Sequence, residues 1–217
     1  LEAIFIGTAA SVAALVATEL YCHRDLAHRA VVLHPHLRIA LDVLYRALVG
    51  TDPRAWAIVH RRHHRMADTH GDPHSPAEHG LWTVLLLSGV LFRRARPHGL
   101  PKQRLLAAGG HLTRGAIIAL LLLCVSVPTV VLAVVIHAAT YLFVVGAINS
   151  LGHAVGGRPF PETPGTNVPW TALLLFGQSY QNNHHHRPEH ARMGRFDPLY
   201  PVLVVLDAIH LAEIRGR

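Results

Sequence analysis

The chain has 217 residues, 51% of them hydrophobic and 15% charged, with a formal charge of +7. That length fits one domain over 1–217, and apolar residues gathered in blocks exclude an ordinary soluble globule in favour of an integral membrane protein. No aromatic-interleaved basic patch or DNA-binding helix motif occurs, which excludes nucleic acid as a partner; arginine-rich polar segments fit the cytoplasmic face of a membrane instead.

The run from Ala3 to Tyr21 is nearly unbroken and matches the ~30 Å hydrocarbon core as a helix, with Glu19 near its polar end. It begins within an apolar stretch, without methionine or a charged leader, so it does not read as a signal peptide, and an upstream segment is expected. Leu37 to Val49 carries Arg38, Asp42 and Arg46 at four-residue spacing and predicts a surface or interfacial helix. Leu81 to Phe92 is apolar but too short to cross, and Arg93, Arg94 and Arg96 follow it, so a second interfacial helix is expected.

Gly115 to Ile148 would run about 50 Å as one helix, too long for a single crossing. Ser126, Val127 and Pro128 interrupt it, which predicts two antiparallel helices of about 16 residues each. A hairpin returns Asn149 and His153 to the side where the first span ends, whereas one long helix would place them opposite. A proline- and glycine-rich loop follows Gly156, then a short apolar segment (Trp170 to Phe176) and an apolar C-terminal helix expected over Leu199 to Ile214.

Nineteen histidines are present, and many of them cluster. His23 and His28 form HRDLAH where the first span ends. His60, His63 and His64 form HRRHH, Asn149 and His153 form NSLGH, and His184, His185 and His186 lie in QNNHHHRP. Residues three or four apart share a helical face, so His60 can pair with His63 and His64, and Asn149 lies under His153. His23 and His28, five apart, need a helix end, local unwinding or a grip from two sides. Imidazole serves several metals, but eight histidines in four groups exceed one zinc and suit two five- or six-coordinate ions. Asp25, Asp68 and Asp72 are placed to orient imidazole N–H groups.

The bland alternatives fail on the set. His137 alone reads as structural, and His34, His36, His98, His111 and His210 as surface or interfacial residues. HRRHHR alone could bind lipid headgroups, and HHHRP could bind metal adventitiously. A histidine-rich metal transporter would need ligands along a path through the bilayer, yet these groups fall at helix ends. The two cysteines, Cys22 and Cys124, form no CxxC pair and support neither zinc-thiolate chemistry nor a disulfide framework.

On these residues the chain resembles the membrane fatty acid desaturases, specifically the acyl-CoA (stearoyl-CoA) branch. The first group has that branch's H-x4-H spacing, HRRHH continues into ADTHGDPHSP, and NSLGH runs into GGRPF, over about residues 7–201. The resemblance implies an all-α integral membrane bundle with a cytosolic cap holding two iron ions and a helix pair before the first histidine group, so that an N-terminal helix upstream of Leu1 is expected. By motif position it assigns His23, His28, His60, His63 and His184 to one iron. The other receives His64, His153 and His185, with Asn149 acting through a water. It departs at Gln181, where the family usually has histidine; Gln181 would ligate through its carbonyl or hold a water, and His186 is a possible substitute. The implied activity is O2-dependent desaturation of a fatty acyl thioester, with two electrons from a separate ferredoxin or cytochrome b5 type carrier and its reductase. An acidic carrier would suit the arginine-rich face. The same superfamily also implies a runner-up, hydroxylation of a lipid, alkane or carotenoid. The membrane would be a bacterial inner membrane or an ER-type membrane.

Overall fold

The computed structural model describes residues 1–216. The first helix, α1 (Glu2–Ala17), continues without a break into a π-helical stretch over Thr18–Ala27. Small residues on α1 let it approach a later helix closely: a Cβ at Gly7 would lie 2.6 Å from the Ala133 carbonyl oxygen. In the π stretch the His28 amide donates to the His23 carbonyl five residues back, at 3.1 Å. This widened turn supplies the local unwinding that the H-x4-H spacing demands.

After β1 (Val31–Leu33), α2 (Pro35–Leu48) runs back along the first helix. Arg38 meets Asp25, and one turn later Asp42 receives the Tyr21 hydroxyl at 2.8 Å. On this helix, expected at a surface or interface, Asp42 and Arg46 are thus turned inward while Arg38 stays partly exposed. Asp42 and Arg46 are buried, because each charge finds a partner: Arg46 pairs with Asp42 and also donates to Gln103.

Helix α3 (Pro53–Met66) starts where Asp52 accepts the Arg54 amide at 2.9 Å, with Pro53 in the first turn. The short α4 (Pro76–His79) leads into α5 (Leu81–Ala95), kinked at Leu87. The long hairpin follows as α6 (Arg104–Cys124) and α7 (Val127–Ala154), broken at Ser126, which caps α7 through the Thr129 amide. Both arms exceed 16 residues, since α6 starts upstream of Gly115 and α7 runs on through NSLGH. Helix α5 lies along α7, where a Cβ at Gly146 would strike the Leu85 carbonyl.

Among the described residues three helices are long and apolar enough to cross a membrane: Glu2–Ala27, Arg104–Cys124 and Val127–Ala154. Leucines and valines of α6 and α7, among them Leu120, Leu123, Val131 and Val135, stand exposed, as they would toward lipid. Helix α8 (Gln181–His186) carries the last histidines and α9 (Leu199–Ala208) follows. The predicted C-terminal helix is corrected here: α9 ends at Ala208, and β2 (Ala212–Ile214) pairs antiparallel with β1, Val31 opposite Ile214. The β-branched residues at those positions suit a strand. The fold is therefore all-α apart from this one ribbon.

Candidate metal centre

Four elements converge at one end of the bundle: the π stretch, α3, the end of α7 and α8. Their histidines form two sets, the ligand atoms of each lying within 4.8 Å of one another: His23, His28, His60, His64 and His184, then His63, His153 and His185. His63 and His64 are exchanged relative to the division that motif position implied. Successive residues on α3 point about 100° apart, so the two neighbours face different sets.

Within the first set the Nε2 atoms point at one another. The separations are 3.0 Å for His23 and His184, 2.9 Å for His28 and His60, 3.1 Å for His60 and His64, and 2.9 Å for His64 and His184. In the second, His63 and His185 approach to 3.2 Å. Two nitrogens each ~2.1 Å from one cation lie ~3.0 Å apart at 90° and ~3.4 Å apart in a tetrahedron. The observed spacing fits a crowded five- or six-coordinate ion better than tetrahedral zinc. Burial and the neighbouring imidazoles hold His60, His63, His184 and His185 well below the usual imidazole range. Burial lowers His28 to about 3 and His64 to about 2. The rings are therefore neutral at physiological pH and keep lone pairs for a metal.

Carboxylates grip the outer nitrogens. His63 Nδ1 lies 2.9 Å from both Asp72 oxygens, and His153 Nδ1 lies 3.0 Å from Asp68. Asp68 adopts a left-handed backbone (φ 59°) and also accepts from Ser75 and the Gly165 amide. Burial pushes its carboxyl up, but the His153 and Ser75 hydrogen bonds outweigh that and hold it below the usual carboxylate range. Asp25 does not share this role: its carboxylate is held by Arg38 and reaches no histidine among the described residues. Glu19, one helical turn before His23, contacts His23 Nδ1 at 3.1 Å and receives the Gln178 amide. The sequence alone gives Glu19 no role, although a carboxylate within an apolar span four residues before a clustered histidine is a usable signal.

An apolar cavity of ≈ 440 Å³ reaches both sets, with His60, His63 and His74 in its wall. Its lining on α7 runs from Val134 to Asn149, a rise of about 22 Å. Asn149 and Gln181 both face this cavity. The Gln181 amide nitrogen donates to Gln178, and its carbonyl oxygen takes no hydrogen bond among the described residues. His186 does not substitute for Gln181: it is exposed and stacks on Phe160 with ring centres 3.7 Å apart. His74, which drew no attention in the sequence, packs against His63 at 4.4 Å and has a buried Nε2 without a partner.

A family model described as fatty acid desaturase matches residues 3–203. The chain belongs to the fatty acid desaturase family. Among the family's curated members it is 33% identical to Delta-9 acyl-lipid desaturase 2 of Arabidopsis thaliana, over 79% of this chain and 60% of that protein. It is 31% identical to the icosanoyl-CoA 5-desaturase of Limnanthes douglasii, over 96% of this chain and 62% of that protein. Acyl-CoA desaturase 1 of Saccharomyces cerevisiae is 30% identical, over 88% of this chain and 41% of the yeast protein. The chain thus spans about three fifths of the length of the first two relatives and less of the third. The three long apolar helices fit a membrane protein of this family, and the two histidine sets offer a donor array suited to the iron that the family uses.

Proposed function

We propose that the chain is the catalytic part of an O2-dependent di-iron desaturase that introduces a C=C bond into a fatty acyl chain carried as a thioester. The observation that carries this reading is the pairing of two sets of clustered imidazoles with a long apolar cavity that His60 of one set and His63 of the other both line. His23, His28, His60, His64 and His184 would hold one iron, and His63, His153 and His185 the other, with Asn149 and Gln181 completing the second site directly or through water. Iron bound there supplies dioxygen activation and the oxidation of an unactivated C–H bond.

The protein supplies placement. Glu19, Asp72 and Asp68 fix the orientation of His23, His63 and His153, so that the Nε2 lone pairs of all three turn inward. The cavity walls, among them Leu15, Val49, Leu142 and Val145, exclude water and hold a methylene pair beside the histidines. Two hydrogens leave adjacent carbons, and with two external electrons and two protons dioxygen is reduced to two waters. A separate ferredoxin or cytochrome b5 type carrier, with its reductase, delivers those electrons. The three apolar helices cross the membrane and leave the histidine end on the cytoplasmic side.

Expression in a host whose lipids are profiled by mass spectrometry, under 18O2, tests the reading. New double bonds without 18O in the product are expected, and they should vanish in His63→Ala. An 18O-labelled alcohol would instead make the chain a hydroxylase, and unaltered lipids with iron-loaded protein would refute the acyl desaturase.

A further inference from the structure

A second pocket, ≈ 390 Å³, lies beside the first set of histidines and is distinct from the apolar cavity. Asn183, His184, Arg187, His190, Arg192 and Arg195 line it, and no carboxylate does. Elsewhere in the chain Arg24, Arg38, Arg46 and Arg54 each pair with an aspartate. The three arginines here form no ion pair among the described residues. Among the described residues Arg192 donates to the Gly194 and Arg195 carbonyls and lies over the Tyr200 ring, Arg195 lies over the Phe196 ring, and the Arg187 guanidinium has no hydrogen bond. The pocket's frame is nonetheless built: Asp197 binds the Met193 and Leu199 amides and receives buried Arg24 at 2.8 Å, tying this loop to the first histidine group.

A second observation points the same way. His184 is 2% exposed; its Nε2 faces His23 and His64, while its Nδ1 is buried and has no partner. His23, His63 and His153 each have a carboxylate on that nitrogen. An imidazole that offers its Nε2 lone pair to a metal carries its proton on Nδ1, so His184 presents a buried donor that lacks an acceptor. An unmet buried donor is costly, and three exposed guanidiniums with no carboxylate partner among the described residues concentrate positive charge around the same space.

We propose that this pocket binds a phosphate group, held by Arg187, Arg192 and Arg195, with one oxygen accepting from His184 Nδ1. Dianionic phosphate suits three guanidiniums better than a single carboxylate, and the volume leaves room for the remainder of a phosphate-bearing molecule. The bound anion would take the place at His184 that Asp72 takes at His63, making one metal ligand responsive to an external ligand. The arginine lining stands on its own geometry, whereas the His184 contact rests on the reading that its Nε2 faces a metal; phosphate binding is measured whether or not the protein turns over.

The test is thermal unfolding of the purified protein titrated with inorganic phosphate, chloride keeping the ionic strength constant. The midpoint should rise with phosphate in the parent and in Lys102→Ala. In Arg187→Ala and in Arg195→Ala the apparent phosphate affinity should fall about tenfold or more. In cobalt-loaded protein, phosphate should also shift the visible absorption of the parent, and the two arginine variants should lose that shift. Competition by adenosine 3′,5′-bisphosphate would identify a soluble ligand, and competition by phosphatidic acid in phosphatidylcholine nanodiscs a lipid headgroup. A phosphate response that is absent, or equal in parent and arginine variants, would overturn the proposal. So would slower reduction of those variants by an acidic electron carrier without any phosphate response, which would assign the face to a protein partner.

Discussion

Single residues in this protein are read best through what their second atom touches. His63 and His153 differ from isolated histidines because Asp72 and Asp68 fix one ring nitrogen and so aim the other. Asp72→Asn and Asp68→Asn should each weaken metal retention by about 10–100-fold in chelator competition, the usual cost of losing such a partner. Asp25→Asn should leave retention unchanged, because Asp25 is bound to Arg38; equal losses in all three would contradict the assignment. Acid sensitivity follows from the same rings. His28 and His64 are lowered to about 3 and about 2, against ~6.5 in an unfolded chain. Below pH ~6.5 the unfolded state takes up protons that the folded state refuses. Metal-free protein should therefore be most stable above that pH and lose stability progressively as pH falls toward 3, as thermal midpoints across pH would show. A midpoint that stayed flat between pH 7 and 4 would speak against buried neutral imidazoles.

Secondary-structure elements place those residues, and their legibility in the sequence was uneven. The break at Ser126–Pro128 was readable because a proline near a helix start and a capping serine leave a local signature. The five-residue spacing of His23 and His28 signalled a departure from α-helix, and the π turn is its form. Other features depend on distant partners and left little trace. Arg38, Asp42 and Arg46 look like a solvent face until Tyr21, Asp25 and Gln103 are seen opposite them. Ala212–Ile214 continues an apolar run, and only β1 across from it makes it a strand. The site shows the same limit: the four histidine groups were visible, whereas His74, Gln178 and the regrouping of His63 and His64 required the fold. Helix contacts also carry a prediction. Gly146→Val would push α5 off α7 at the Leu85 backbone, costing about 1–3 kcal/mol of stability. Gly115→Ala, which meets nothing within 4 Å on α6, should be neutral or slightly stabilising. Denaturant or thermal unfolding in detergent would rank the two, and a harmless Gly146→Val would mean that the α5–α7 contact is not close.

As a whole, the molecule is a set of apolar helices whose widened, capped and kinked ends bring four separate chain segments to one place. The long helices supply an apolar environment, the cavity leads to the histidines, and Glu19, Asp72 and Asp68 keep the inner nitrogens aimed. This arrangement has a use if metal binds both sets at once, since five imidazoles and three imidazoles form two neighbouring sites and not one closed tetrahedral site. The measurement that bears most directly on it is the metal content of the protein purified from iron-replete cells, by elemental analysis with Mössbauer spectroscopy. Two irons per chain are expected, falling to about one in His153→Ala. A single zinc per chain with no iron would contradict this reading.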